Sequence, residues 1–188
     1  MKVSQKELIL AVISGTVVSF PTDTVPALAS LPQKAGGIFT LKKRSQDKPL
    51  ILMGASFNTF KPYLQGTTEE INIWQEMTKK FWPGALTLVL PASNLLPKVM
   101  NPTNSQTIGV RVPNLKIALD ILTETGPLAT TSANLSGQPP LETMEAINQA
   151  FPQVFTLDGD YVGSGQPSTV AKWTNQGWEI LRQGSVKL

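Results

Sequence analysis

The side chains that could do chemistry in this chain are hydroxyls, carboxylates, lysines and arginines, because its 188 residues include no His and no Cys. That removes thiolate nucleophiles, disulfides, the usual catalytic triads, most zinc sites and the imidazole proton shuttle. What remains is densest in residues 17–52. Thr22, Asp23 and Thr24 follow Pro21 at the end of the apolar run Val17-Val18-Ser19-Phe20; Lys42, Lys43 and Arg44 close a helical pattern; Lys48-Pro49 leads into Leu50-Ile51-Leu52. Small hydroxyls at a strand mouth can grip a polar ligand, and Lys and Arg neutralise phosphate or carboxylate. The chemistry these types allow is the binding and orientation of something anionic at a sheet edge.

Further polar clusters stand at Arg111 before Pro113, Ser132-Ala133-Asn134 with Ser136-Gly137, Ser168-Thr169 and Arg182. Each has an ordinary structural reading. Residues 21–24 fit a turn with a cap, Lys42 to Arg44 a solvated helix end complementing the dipole, and Ser132 to Asn134 a turn. Arg111 and Arg182 fit surface arginines, and Trp82-Pro83-Gly84 a helix stop. Taken singly, none outranks that reading.

The elements that must position these residues follow from periodicity. Apolar residues make up 41% and charged residues 15%, with a net charge of +3: a chain that can build a core and is only mildly basic. Ser4-x-x-Glu7 is a capping box for a helix ending at Gly15, and 16–20 reads as the first strand. Residues 34–43 predict a helix, 49–53 a strand, and Thr67-x-x-Glu70 opens a helix with Ile71, Trp74, Met77 and Phe81 at core spacing. Strands are expected at 85–90, 107–112, 127–131, 154–157, 168–173 and 178–181, with helices at 115–125 and 141–151. Residues 91–106 read as a long irregular connection. No run approaches the ~20 apolar residues of a membrane span and the N-terminus has no signal-like region, so a cytoplasmic protein without a membrane partner is expected. The expected fold is one α/β domain over 1–188 with a mostly buried, mixed sheet.

Order decides what single clusters do not. The run PTDT, K-x-R, KPL, WPGALT, VRVP, SAN-x-SG, STV and LRQG, from about Gly15 to Gly184, resembles the YrdC family of threonylcarbamoyl-adenylate synthases in its short, single-domain form. The resemblance implies a twisted mixed-sheet α/β open sandwich with a large basic concave cavity. It implies condensation of L-threonine, bicarbonate and ATP to threonylcarbamoyl-AMP and pyrophosphate, with Mg2+ neutralising the pyrophosphate. Partner proteins of a threonylcarbamoyl-transferase complex then modify tRNA beside the anticodon. Lys42 and Arg44 match the K-x-R pair, implied to be catalytic at the ATP phosphates, and Lys48 faces the same ligand. Thr24, supported by Thr22, matches the threonine position, with Thr130, Ser168 and Arg111, the last for the substrate carboxylate. Ser132, Asn134, Thr107 and Arg182 match nucleotide positions, while Trp82-Pro83-Gly84 shapes the cavity floor. This chemistry needs positioning and charge neutralisation more than a proton shuttle, which suits a chain without His. Two rival readings are a tRNA or double-stranded RNA binding module of YrdC type without catalysis, and a carbamoyl-transfer module like that of hydrogenase-maturation proteins.

The chain also departs from the family pattern. Pro26-Ala27 stands where an aromatic and a glycine are usual, Met53 where many members carry His, and Ser45 where Pro is common after K-x-R. These changes touch amino-acid recognition more than ATP binding.

Overall fold

Local signals set the helix starts. In the computed structural model, which describes residues 1–103 and 106–188, α1 (Gln5–Ile13) begins at the Ser4–Glu7 capping box, with Ser4 N donating to Glu7 Oε2 at 2.8 Å. The same reciprocal cap at Thr67 and Glu70 starts α3 (Thr68–Phe81), whose Trp74 is fully buried. Between them α2 (Gly36–Lys42) follows a short 3-10 turn at Pro32–Lys34. The remaining helices are α4 (Lys116–Thr125) and α5 (Met144–Ala150). The last starts later than the expected Leu141 because the Thr143 hydroxyl caps it, accepting from Ala146 N at 3.1 Å. Among the described residues no helix is long and apolar enough to cross a membrane.

The strands are β1 (Lys2–Val3), β2 (Val18–Phe20), β3 (Ala27–Ser30), β4 (Ile51–Met53), β5 (Leu86–Pro91), β6 (Thr107–Arg111), β7 (Leu128–Ser132), β8 (Phe155–Leu157), β9 (Thr169–Thr174) and β10 (Gly177–Arg182). They form one ten-stranded sheet in the order β1-β8-β2-β3-β7-β4-β6-β5-β9-β10. Four neighbouring pairs are parallel and the rest antiparallel, so the sheet is mixed as expected. Two strands and a 3-10 stretch at Phe57–Tyr63 were not anticipated. β1 is too short to show a period. β3 reads Ala-Leu-Ala-Ser, all buried, so it lacks both alternation and β-branched residues. In the 91–106 connection a single 3-10 turn forms at Lys98–Met100, and positions 104 and 105 lie outside the described residues.

Strand alternation gives the sheet two different faces. Ala129, Leu52, Val110, Leu88 and Ala171 are register partners in a row across β7, β4, β6, β5 and β9, all fully buried with Ile38 of α2 and Trp74 of α3. One residue along, Leu128 and Met53 point the other way, into a second apolar cluster built with α1, α4 and α5. That second face changes character along β7. Leu128 is core, whereas Thr130 and Ser132, two and four residues on, line a cavity together with Ile51 of β4. The cavity occupies the stretch of this face where the polar residues of β7 replace apolar ones.

Candidate active site

The residues 21–26 connect two neighbouring antiparallel strands, β2 and β3, and their side chains fold the turn on itself. Thr22 Oγ1 donates to Val25 O at 2.7 Å and accepts from Thr24 N at 3.2 Å. This Thr-centred turn places Thr24 Oγ1 to accept from Arg111 Nη1 at 2.8 Å. Beside it, Asp23 Oδ1 accepts from Arg111 Nη2 at 2.7 Å in an ion pair whose arginine is 4% exposed, and Arg111 Nε donates to Gly84 O at 3.1 Å. Burial pulls the Arg111 pKa below its ordinary value while the Asp23 charge holds it up; the guanidinium remains a cation. Three of its five N–H donors are committed to these partners, which leaves two. The turn is also held from the 158–167 side. Ser164 N and Gly165 N donate to Asp23 O and Thr24 O, each at 3.0 Å. Gly163 lies so close that a Cβ there would overlap the Thr24 carbonyl oxygen, so the approach requires glycine.

The K-x-R stretch splits its two cations. α2 ends at Lys42, and Lys43 takes the left-handed conformation (φ 49°, ψ 42°) that reverses the chain. Arg44 therefore departs in a new direction, donating from Nε to Lys48 O at 3.0 Å and from Nη2 to Pro49 O at 3.2 Å. Arg44 lines the cavity. Lys42 instead is buried, and its Nζ donates to Ser132 O (2.6 Å), Asn134 O (2.6 Å) and Asn134 Oδ1 (3.0 Å). All three ammonium donors are engaged, and Lys42 is not among the residues lining the cavity. The expectation places Lys42 at the ATP phosphates beside Arg44; in the structure its ammonium is turned to the 132–134 segment and away from the cavity lining. Asn134 is further fixed by Nδ2 donating to Leu135 O and Gln138 O, and Ser132 Oγ donates to Asn134 Oδ1.

At the far end of the cavity, Ser168 precedes β9 and is held by Thr87 of β5, with 2.8 Å between their hydroxyls, and by Arg182, whose Nε and Nη2 reach Ser168 O at 3.0 and 2.9 Å. Between the two ends stands Thr130, 1% exposed, whose Oγ1 has no hydrogen-bond partner among the described residues. Thr130 also lines the cavity, and a buried hydroxyl without a partner is a feature that calls for an explanation.

The cavity has a volume of about 340 Å³, within the range of small-molecule sites. Its charged lining residues are Arg44, Arg111 and Arg182, with no carboxylate among them. The structure thus brings Thr24, Arg44, Arg111, Thr130, Ser132, Asn134, Ser168 and Arg182 to one cavity, and leaves Thr22, Lys42, Lys48 and Thr107 off its wall. Thr22 Oγ1 stands 3.1 Å from Thr24 Oγ1; Lys48 is exposed and supplies its carbonyl to Arg44; Thr107 accepts through its carbonyl from Asn101 Nδ2 at 2.8 Å. Gly84 touches Arg111, and none of residues 82–84 lines the cavity. Sequence reasoning missed Asp23 as the Arg111 partner, Ile51 as a wall, Gln138 on the rim and Thr87 behind Ser168. Two of these carried a signal, Asp23 in the PTDT run and Thr87 in the WPGALT stretch. Ala27 does not need the positive φ that a glycine there would allow: it is the first residue of β3, paired with Ser132.

The chain matches the family Sua5_yciO_yrdC, described as "Telomere recombination", over residues 11–184. It is 34% identical over 185 residues to a threonylcarbamoyl-AMP synthase of Vibrio vulnificus, covering 95% of this chain and 97% of that protein. A threonylcarbamoyl-AMP synthase of Pyrococcus abyssi is 36% identical over 180 residues, 93% of this chain; the chain spans about half, 52%, of that longer relative. The crystal structure of P. abyssi Sua5 complexed with L-threonine superposes with a TM-score of 0.87 at 32% identity, over 99% of this chain and 56% of that one.

Proposed function

As this chain belongs to the Sua5/YciO/YrdC family, we propose that it condenses L-threonine, bicarbonate and ATP to threonylcarbamoyl-AMP and pyrophosphate. The observation that carries the proposal is the convergence on one cavity of Thr24, Thr130 and Ser168 with three arginines, of which Arg111 is paired with Asp23 while Arg44 and Arg182 have no ion-pair partner among the described residues. Threonine's carboxylate is assigned to the two uncommitted Arg111 N–H groups, and its polar atoms to Thr24, Thr130 and Ser168. The nucleotide is assigned to Arg44, Ser132, Asn134 and Arg182, with Lys48 at the outer edge of the phosphates.

In this reaction the unprotonated threonine amine attacks the bicarbonate carbon and water leaves, giving a carbamate. A carbamate oxygen then forms a bond to the ATP α-phosphorus as the bond to pyrophosphate breaks. The chain's part is to hold the carbamate in line with that phosphorus and to offset charge on the leaving group with Arg44 and Arg182. Among the described residues no three carboxylate or other metal-binding side chains come together. The chain therefore offers no cage of its own for Mg2+; an ion held by the ATP phosphates enters with the substrate, and no step is assigned to it. We place the reaction in the cytoplasm, with the product passing to the threonylcarbamoyl-transferase proteins that act on tRNA.

The test is mass spectrometry of the products formed from ATP, bicarbonate and each amino acid in turn. Threonylcarbamoyl-AMP and pyrophosphate are expected only when threonine and bicarbonate are both present. Absence of that product while the protein binds tRNA would favour the non-catalytic RNA-binding reading.

A further inference from the structure

We propose that Lys42 is a positioning residue, a cationic clamp that fixes the 132–138 loop to the end of α2 and thereby brings Ser132 and Asn134 to the same cavity as Arg44. A buried charge is ordinarily paired with an opposite one. Lys42 is 1% exposed, yet among the described residues no carboxylate lies within ion-pair distance of it. Its partners are neutral oxygens, two of them backbone carbonyls, all belonging to the segment that carries Ser132 and Asn134. The connection is doubled by the backbone, since Ser136 N donates to Lys42 O at 3.1 Å. Burial, with the nearby Arg44 charge, lowers the Lys42 pKa to about 8.

Three points of attachment from a single ammonium hold two carbonyls and one amide oxygen in fixed relation. Without Lys42 the Asn134 carbonyl loses its donor, while Ser132 O and Asn134 Oδ1 keep only bonds from within the segment, from Asn134 N and Ser132 Oγ; the loop is then free to shift while Arg44, turned outward by the left-handed Lys43, stays where Lys48 and Pro49 hold it. The two cations of K-x-R therefore divide their work: Arg44 faces the ligand, and Lys42 builds the wall beside it. The geometry stands on its own; its consequence for nucleotide binding rests on the function proposed above.

Two experiments separate a clamp from a phosphate ligand. The first uses the unaltered protein and an amine-acylating reagent read by mass spectrometry. Exposed Lys48 is expected to label in the unliganded protein, and Lys42 to stay unlabelled with or without a non-hydrolysable ATP analogue. Labelling of Lys42 that the analogue blocks would overturn the clamp.

The second uses Lys42→Met. Amides of residues 132–138 are expected to exchange hydrogen faster in the unliganded variant; unchanged exchange there would overturn the proposal whatever the protein's activity. Affinity is expected to fall by the same factor, about ten- to a hundredfold, for AMP and for the ATP analogue, because a displaced wall affects both. A loss seen with the ATP analogue and absent with AMP would make Lys42 a phosphate ligand. Failure of the unaltered protein to bind either nucleotide would remove the proposed function and leave the exchange and labelling results to judge the clamp.

Discussion

Replacing Thr130 by Val should make the unliganded protein more stable and a poorer threonine binder. The two side chains have nearly the same shape, so the change removes one hydroxyl and little packing. Thr130 Oγ1 is buried without a partner, and an unsatisfied buried hydroxyl costs about 1–3 kcal/mol. Taking the low end, about 1 kcal/mol, a chain of this length should gain ~2–4 °C in melting temperature. Threonine binding should weaken, because a hydrogen bond to a charged ligand group is worth about 1.5–3 kcal/mol, or roughly ten- to hundredfold in affinity. Differential scanning calorimetry without ligand gives the first quantity, and titration calorimetry with threonine the second. The upward shift that saturating threonine gives the unaltered protein should also shrink in the variant. A lower melting temperature for Thr130→Val would mean the hydroxyl has a partner in the folded state. Unchanged threonine affinity would mean it does not face the amino acid, and the assignment of this wall would be wrong.

Arg44→Ala should weaken binding of an ATP analogue by about 1.5–3 kcal/mol by titration calorimetry, and lower stability by about 1 kcal/mol per lost bond to Lys48 O and Pro49 O; intact affinity would return Arg44 to a purely structural role. Lys43→Gly should raise the melting temperature, since a non-glycine residue in the left-handed region carries strain of about 1 kcal/mol; a fall would show that the Lys43 side chain does more than cap α2. For Lys42 the folded pKa of about 8 lies below the ordinary 10.5, so between those values the unfolded chain holds more proton and stability rises with pH. The urea midpoint of the unaltered protein should accordingly gain on that of Lys42→Met from about pH 7.5 to about pH 9.5, and a flat difference would contradict the lowered pKa. Pro26→Tyr with Ala27→Gly, which restores the usual family residues at the cavity wall, should sharpen preference for threonine over serine in pyrophosphate release, a methyl being worth ~1–3 kcal/mol in a filled apolar pocket; stronger preference in the unaltered protein would refute a loosened pocket.

Helix starts and most strands were legible in the chain itself because their causes are local. The Ser4–Glu7 and Thr67–Glu70 boxes cap their helices within a few residues, and the alternation around Ile108 and Val110 needs only the pleat of its own strand. The motif order likewise placed eight of the cavity's residues, among them Thr24, Arg111 and Ser168, without any knowledge of distance. What the sequence alone determined was thus which side chains are available: hydroxyls and arginines, with no imidazole or thiol, and the strand ends from which they project.

Tertiary structure decided which of them face a ligand. β3 carries no local signal, since Ala-Leu-Ala-Ser is a strand only because β2 and β7 supply hydrogen-bond partners on both sides. Yet β3 is what sets β7, with Thr130 and Ser132, beside the turn that holds Thr24. Lys42 and Arg44 are two positions apart and chemically alike on paper. A left-handed residue between them sends one inward to the carbonyls of a loop ninety residues away and the other out to the cavity. Asp23, which reads as a turn residue, becomes the partner of Arg111 only when β6 is laid across the sheet from β2. Non-local hydrogen bonds and a single backbone reversal made these choices, and neither leaves a period or a motif in the chain.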